Sequence, residues 1–237
     1  MQHELNAIMS LTSDKISTIK RAGDDARAVL RSALETFPGD VAVLSSFGAE
    51  SAALLSLVAD IAPATPILFL ETGQHFPETL EYRQALAKQL GLTDVRDIRP
   101  APDALKNRDP EGQLWAFDPD ACCQLRKVEP LDLATLPFHA LITGRKRSQA
   151  STRQRMEIVE PNGEGRIKIN PLATWSAADL DEEIDRRSLP RHPLSLHGYP
   201  SIGCAPCTRA VGEDEDPRAG RWAGLNKTEC GIHRPAL

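Results

Sequence analysis

Five cysteines are the residues of this sequence best suited to chemistry, and their spacing divides them into three groups. Cys122 and Cys123 are adjacent, Cys204 and Cys207 form a C-x-x-C in GCAPCT, and Cys230 lies in KTECGIH. Adjacent cysteines rarely bridge each other because disulfide geometry is narrow. An odd number of cysteines also argues against a framework of disulfides, so metal binding or redox chemistry is the leading interpretation.

The two cysteine pairs together offer four thiolates, enough for one tetrahedral zinc ion or one [4Fe–4S] cluster. Directly adjacent ligands suit the separate iron atoms of a cluster better than a single ion, so the spacing favours iron–sulfur over zinc. A redox pair is a third interpretation of the C-x-x-C, although such a pair normally starts a helix after a strand. For Cys122 and Cys123 the remaining alternative is a pair of apolar cysteines in a core helix.

The residues around the cysteines support a site for negative charge. Asp118 and Pro119 predict the start of a helix, which places Cys122 and Cys123 in its early turns, where the helix dipole favours thiolates. Lys127 follows one turn later. Lys227 and His233 lie close to Cys230 in the sequence and would favour its action as a nucleophile, although a cysteine in a tail is often incidental.

Two further segments indicate an anionic ligand. SSFGAES (45–51) joins a predicted strand to a predicted helix and resembles the SGGxDS pyrophosphate loop of nucleotide alpha-hydrolases, with Phe47 at a glycine position. An ordinary strand–helix turn is the alternative. TGRKRSQASTRQR (143–155) carries five basic residues and RAGRW (218–222) two more, which in an acidic protein suggests a polyanionic small molecule rather than a solvated loop.

The elements that must position these residues alternate along the chain. Short apolar segments predict strands, and stretches with a 3.6-residue period predict helices. The strands are expected at 41–46, 66–71, 93–100 and 138–144, a hairpin at 156–170, and the helices at 24–37, 50–62, 77–91 and 176–188. This order predicts an α/β fold, a parallel sheet with helices on both faces and the ligand site at the carboxyl ends of its strands. Thr72 and Gly73 leave the second strand at that edge and are candidate ligand contacts.

The composition limits the remaining possibilities. The 237 residues carry a net charge of −5 and are 41% hydrophobic, which indicates a globular domain and argues against general nucleic-acid binding. We find no secretory signal and no apolar run long enough to span a membrane, so a cytoplasmic protein is expected. After Pro190 the sequence is rich in Gly, Pro and charge. We therefore predict a nucleotide-binding α/β domain over 1–200 and a C-terminal segment over 201–237 that carries the C-x-x-C and a mobile cysteine tail.

Four motifs in this order, CCQLRKVEPL, GYPSIGCAPCT, RAGRW and KTECGIH, resemble the assimilatory adenylylsulfate (APS) reductases of the APS/PAPS reductase family. The resemblance covers about residues 40–233. It implies an adenine nucleotide alpha-hydrolase-like fold and thiol-dependent reduction of APS to sulfite and AMP. Cys230 would attack the sulfate sulfur, and thioredoxin or glutaredoxin would release sulfite from the resulting S-sulfocysteine. A homo-oligomer is expected.

The resemblance also implies roles for other residues. Cys122, Cys123, Cys204 and Cys207 would hold a [4Fe–4S] cluster, with Lys127 between cluster and substrate. The substrate contacts that the resemblance implies are Ser45, Gly48, Glu50, Lys127, Arg153, Arg218, Arg221 and His233. Ser46, Thr72, Gly73 and Arg145, in the loops after the strands, are further candidate substrate contacts. The sequence SSFGAE departs from the SFSGAE of many APS-specific members and resembles the SSSFG of PAPS enzymes, which leaves PAPS as an alternative substrate.

Two other functions stay open. An iron–sulfur tRNA thiolase of the same fold would use ATP, but it would keep an intact SGGxDS loop and lack KTECGIH. A non-catalytic zinc- or nucleotide-binding module is the other alternative. Arg186 and Arg187 are expected on a solvated helix, where they serve as comparison positions without a role in the site.

Overall fold

The structure, a computed structural model, describes residues 13–162, 166–225 and 227–233. Within these ranges one sheet of six strands runs in the order β3-β2-β1-β4-β6-β5. Neighbouring strands are parallel except β5 and β6, which form the antiparallel pair at one edge. The predicted parallel α/β sheet is confirmed. Its strands are β1 (Val41–Leu44), β2 (Ile67–Leu70), β3 (Val95–Ile98), β4 (Ala140–Thr143), β5 (Val159–Asn162) and β6 (Arg166–Ile169).

The helices begin and end where local chemistry directs. Asp25 caps the helix Ala26–Thr36 through the amides of residues 27 and 28. Pro77 begins the helix Pro77–Leu90, and Gly91 ends it with a left-handed φ of 66°. Residues 13–20 are also helical. The helices are α1 (Ala26–Thr36), α2 (Ser51–Ile61), α3 (Pro77–Leu90), α4 (Pro102–Arg108), α5 (Leu114–Phe117), α6 (Pro119–Cys123), α7 (Glu129–Ala134) and α8 (Ala177–Arg186).

Alternate side chains of the central strand β1 enter two separate apolar cores. Val41 and Val43 pack with α1, α2 and α8 on one face of the sheet. Ala42 and Leu44 pack on the other face with Leu131 of α7. Since both faces are covered, all four residues of β1 are buried, as expected for a parallel strand. The prediction of helices on both faces is confirmed.

The helices α4, α5 and α7 were not predicted from the sequence, and two further local features differ from the expectation. The hairpin strand β5 runs to Asn162, so Pro161 lies in a strand rather than in the turn. It is tolerated there because β5 is an edge strand. Between α6 and α7, Gln124–Val128 forms a π-helical turn that the sequence did not predict. Among the described residues, no helix is both long and apolar enough to cross a membrane.

Candidate active site

A cavity of about 410 Å³ opens at the carboxyl ends of β1, β2 and β4. β1 lies between β2 and β4, so the chain order reverses at this point of the sheet, which is where open α/β sheets bind ligands. Of the thirteen predicted nucleophile and substrate residues, eleven line the cavity. They are Ser45, Ser46, Gly48, Glu50, Lys127, Arg145, Arg153, Arg218, Arg221, Cys230 and His233.

The loop after β1 adopts the backbone shape that a glycine normally provides. Phe47 has a left-handed φ of 47°, and its amide donates to Ser45 Oγ at 3.2 Å. The Phe47 side chain is fully buried and packs edge-on against Phe69, with ring centroids 5.7 Å apart. The phenyl ring thus anchors the loop in the core, while Gly48 and the start of α2 at Ser51 line the cavity. A helix N-terminus in this position favours a phosphate group.

Glu50, an expected substrate contact, already accepts hydrogen bonds from one protein cation and one neutral amide. Lys146 Nζ donates to Glu50 Oε2 at 2.6 Å, and Gln149 Nε2 donates to the same oxygen at 2.9 Å. Burial lowers the pKa of Lys146, and the attraction of Glu50 opposes that shift. Gln149 Oε1 in turn accepts from Arg153 Nη1 at 2.6 Å. The phosphate loop and the basic segment are therefore joined by one polar network.

Thr72 and Gly73 do not line the cavity, in contrast to the sequence-based expectation. The buried Arg126 holds the loop that contains them: its Nη1 donates to the Thr72 carbonyl at 2.6 Å and its Nη2 to Asp109 at 2.6 Å. Thr72 Oγ1 lies 3.4 Å from Cys204 Sγ. The loop after β2 thus supports the cysteines rather than the cavity wall.

The four paired cysteines come together from two distant parts of the chain. Cys122 and Cys123 are buried in α6, which Asp118 caps through the amide of residue 121 at 2.9 Å, as predicted. Cys204 directly precedes a short 3₁₀ turn, Ala205–Cys207, that ends at Cys207 and contacts α5. Burial, reinforced by the neighbouring cysteines, raises the pKa of Cys122 to about 12. All four are free of disulfides.

Cys204 differs from its neighbours. Burial alone would raise its pKa, but Lys127 and the Thr72 hydroxyl hold the pKa of Cys204 below its ordinary value. Lys127 projects from the π-helical turn, is half-buried and also lines the cavity. Burial disfavours its charge, yet the cysteines Cys204, Cys230 and Cys123 together raise the pKa of Lys127. Lys127 therefore connects the cysteine group to the cavity.

The described part of the C-terminal segment, residues 201–225 and 227–233, forms the other side of the cavity. Glu229 accepts from Arg153 Nε and Nη2, both at 2.9 Å, and Arg218 Nη2 donates to the Thr228 carbonyl at 3.0 Å. The chain then turns at Gly231, where φ is 85°. Cys230 lies between these fixed points and lines the cavity.

Arg221 and its neighbours leave polar atoms for a ligand. Gly203 packs so closely under the Arg221 guanidinium that a Cβ would lie 2.2 Å from its Nη2. Among the described residues, four that line the cavity carry a buried nitrogen without a protein hydrogen-bond partner. These atoms are His75 Nδ1, Arg221 Nε, Trp222 Nε1 and His233 Nδ1. Burial is the main cause that holds the pKa of His233 well below its ordinary value, and the positive charges of Arg145 and Arg153 lower it further.

Several residues at the site were not predicted as site residues from the sequence. Lys146 was noted in the basic cluster, and Glu229, Gly203 and Trp222 lie inside the quoted motifs KTECGIH, GYPSIGCAPCT and RAGRW. Motif membership was the available signal, but it assigns no partner to these side chains. Gln149 lies inside the quoted basic segment, but its uncharged side chain gave no reason to single it out, because its role depends on Glu50 and Arg153 meeting it in space.

Residues 40–210 match the family model of the phosphoadenosine phosphosulfate reductase domain, which is well over half of the chain. The chain belongs to the phosphoadenosine phosphosulfate reductase family. The two cysteine pairs and the basic segment 143–155 lie inside this range. The cavity is lined by residues both inside and beyond it, and Cys230 lies beyond it.

Relatives in this family extend the match to most of the chain. Adenosine 5′-phosphosulfate reductase of Chelativorans sp. (strain BNC1) is 50% identical over 214 residues, covering 90% of this chain and 87% of the relative. The enzyme of the same name from Mesorhizobium japonicum is 51% identical over 207 residues, covering 87% and 81%. The structure of phosphoadenylyl-sulfate (PAPS) reductase from Candida auris, a phosphate complex, has a TM-score of 0.66 at 28% identity, covering 79% and 90%.

Proposed function

We propose that this protein is an adenylylsulfate reductase, which reduces APS to sulfite and AMP through an S-sulfocysteine on Cys230. The observation that carries the proposal is the position of Cys230 at the cavity, opposite the loop after β1 and among basic side chains. Relatives about half identical to this chain are named adenosine 5′-phosphosulfate reductases, which supports APS as the substrate.

The proposed reaction has two steps that balance. The Cys230 thiolate attacks the sulfate sulfur, an S–S bond forms, and the bond from sulfur to the bridging oxygen breaks, so that its electron pair leaves with AMP. A dithiol reductant of the thioredoxin or glutaredoxin type then attacks Cys230 Sγ and releases sulfite. Its second thiol resolves the mixed disulfide, so that the reductant is oxidised by two electrons and Cys230 returns as a thiol.

The charges at the cavity fit this chemistry. A thiolate approaching a sulfur surrounded by anionic oxygens is repelled, and fixed cations reduce that repulsion in the transition state. Lys127, Arg145, Lys146, Arg153, Arg218 and Arg221 all line the cavity. Arg221 Nε and His233 Nδ1 have no hydrogen-bond partner in the part of the chain that the structure describes, which makes them the best-placed candidates to contact substrate oxygens or the nucleotide.

The cysteine pairs fit a [4Fe–4S] cluster better than a single metal ion. Among the described residues, no three His, Cys, Asp or Glu side chains surround one point that could hold an ion. The four thiols nevertheless lie close together, and burial raises the pKa of Cys122 and Cys123, whereas Lys127 lowers that of Cys204. Iron bound to these sulfurs would take the place of their protons. Cys122, Cys123, Cys204 and Cys207 would be the ligands. When bound, the cluster supplies covalent links between α6 and the C-x-x-C turn.

PAPS reduction is the second candidate function. The loop SSFGAE retains Phe47 in a glycine-like conformation, and the structurally similar Candida auris protein is a PAPS reductase. The tRNA thiolase and the non-catalytic module are less well supported, because the named relatives are reductases and Cys230 lies at the cavity. The cytoplasmic location, the homo-oligomer, the domain boundary at residue 200 and the mobility of the tail stay predictions.

Sulfite release tests the proposed function. Anaerobically purified protein is given APS or PAPS, each with thioredoxin or with glutathione, and sulfite is measured. We expect APS with thioredoxin to give the highest kcat/KM. A higher kcat/KM with PAPS would establish the second candidate, and release from neither substrate would overturn both.

A further inference from the structure

The contacts of Arg153 differ from those expected of a substrate-binding arginine. All three of its side-chain nitrogens donate to protein acceptors: Nε and Nη2 to Glu229, and Nη1 to Gln149. Its side chain is 11% exposed. Arg221, by contrast, has a buried Nε that finds no hydrogen-bond partner within residues 13–162, 166–225 and 227–233. Of these two arginines at the cavity, Arg221 can still donate to a ligand, whereas Arg153 already donates to Glu229 of the C-terminal segment.

Glu229, which accepts two of these hydrogen bonds from Arg153, lies directly before Cys230 in the sequence. Both Glu229 oxygens face the Nε and Nη2 edge of Arg153, a bidentate geometry that fixes direction as well as distance. Arg218 Nη2 lies 3.7 Å from Glu229 Oε2 and also donates to the Thr228 carbonyl at 3.0 Å. Two arginines therefore hold residues 228 and 229 against the cavity.

The other side of Cys230 is fixed by packing. The chain turns at Gly231, and Ile232 packs against the apolar core that contains Leu44, Leu70 and Leu131. Cys230 therefore lies between two fixed points, the Arg153–Glu229 pair on one side and the packing of Ile232 against the apolar core on the other. Removing either anchor lets its Sγ move, and a displacement of about 1 Å can lower a rate on the order of 10²-fold.

We propose that Glu229 is a positioning residue that latches the Cys230 segment to Arg153, and that Arg153 acts on the reaction through Glu229 rather than by contacting the substrate. The proposal rests on the proposed function only for what Cys230 does once it is in place. It predicts that the latch controls the reactivity of Cys230 and leaves substrate affinity nearly unchanged.

The activity test is a double-mutant cycle with Glu229→Gln, Arg153→Met and the double variant, all carrying the metal content of the wild-type protein. APS is added without reductant, and formation of the SO₃ adduct on Cys230 is followed by mass spectrometry, with the Kd for APS measured separately. Each single variant should form the adduct roughly 10²-fold more slowly, with Kd changed less than about threefold. The double variant should be no slower than the slower single variant, because both changes remove one interaction. Glu213→Gln, at an exposed position of the same segment, should match the wild type.

Three results would contradict the latch. Effects that add in the double variant would mean that Arg153 and Glu229 act separately. A Kd for APS that rises in Arg153→Met by the same factor as the rate falls would make Arg153 a substrate contact. Tighter APS binding in Glu229→Gln would mean that Glu229 competes with the substrate for the arginines.

A second measurement keeps the latch testable if the proposed function fails. The rate at which iodoacetamide alkylates Cys230 in substrate-free protein is followed by peptide mapping. Release of the segment should speed alkylation at least about tenfold in Glu229→Gln and Arg153→Met, but not in Glu213→Gln. Equal alkylation rates in all variants would overturn the latch, whereas wild-type protein that forms no adduct with APS would overturn the function alone.

Discussion

The two sides of the cavity are built in different ways. The strand-end side, residues 41–51 and 140–153, follows buried parallel strands and is anchored in the core by side chains such as Phe47. The C-terminal segment contains a single 3₁₀ turn among its described residues and is held by side chains: Arg153 to Glu229, Arg221 over Gly203, and the cysteines. The first side is fixed by folding of the sheet, and the second by a few side-chain contacts and by the cluster that we propose. Substitutions in the strand-end side should therefore lower the free energy of unfolding, and substitutions in the C-terminal segment should lower activity.

The cysteine pairs are the strongest test of this difference. Cys123→Ser in anaerobically prepared protein should abolish the cluster and sulfite release, because α6 loses one of the four proposed ligands that would join it to the C-terminal segment. Iron and acid-labile sulfide analysis should give about four of each per chain in the wild type and little in the variant. Stoichiometric zinc without sulfide in the wild type would contradict the cluster.

Phe47 tests the strand-end side. Phe47→Ala removes a fully buried ring from the core and should lower the free energy of unfolding by about 3–5 kcal/mol, measured by denaturant titration. Phe117→Ala is the matched control, because Phe117 is 81% exposed and its removal should change stability by less than about 0.5 kcal/mol. Similar losses in both variants would show that the ring does not anchor the loop.

Gly203 tests the opposite side. Gly203→Ala would place a Cβ 2.2 Å from Arg221 Nη2, so the guanidinium must shift, and kcat/KM for APS should fall on the order of 10²-fold with little change in stability. Gly212→Ala is the control within the same segment, since its nearest neighbour, Glu215 Oε2, is 3.8 Å away. Unchanged kinetics in Gly203→Ala would argue against a role for the position of Arg221.

The smallest effects are expected at Arg186 and Arg187. Both were expected on a solvated helix, but only Arg186 fits that description, with 59% of its side chain exposed. The Arg187 side chain is 19% exposed and pairs with Asp60 of α2 and Glu183 of α8. Arg187→Ala should therefore cost about 1 kcal/mol of stability and Arg186→Ala less than about 0.5 kcal/mol, both with wild-type kcat/KM. A loss of activity in either would mean that distant charge influences the site.

The part that could be predicted from the sequence follows the same division. Buried strands and amphipathic helices have a periodic pattern, so the strand-end side and its phosphate loop were placed within a few residues. The C-terminal segment has no period, and only its motifs marked it. Motifs indicated Cys230 and Arg221, but not that Arg126 draws Thr72 away from the cavity or that Glu229 occupies Arg153. Arg126 and Thr72 are separated by 54 positions in the sequence, and Arg153 and Glu229 by 76. No local pattern encodes contacts between residues so far apart.

The most direct test of the account is the fate of Cys230 when APS is supplied without a reductant. Wild-type protein should gain one SO₃ group, located by peptide mapping on the fragment that contains Cys230, and thioredoxin should remove it with release of one sulfite. Cys230→Ser should keep its iron, bind APS and form no adduct. An adduct on Cys122, Cys123, Cys204 or Cys207, or sulfite release by Cys230→Ser at the wild-type rate, would contradict the account.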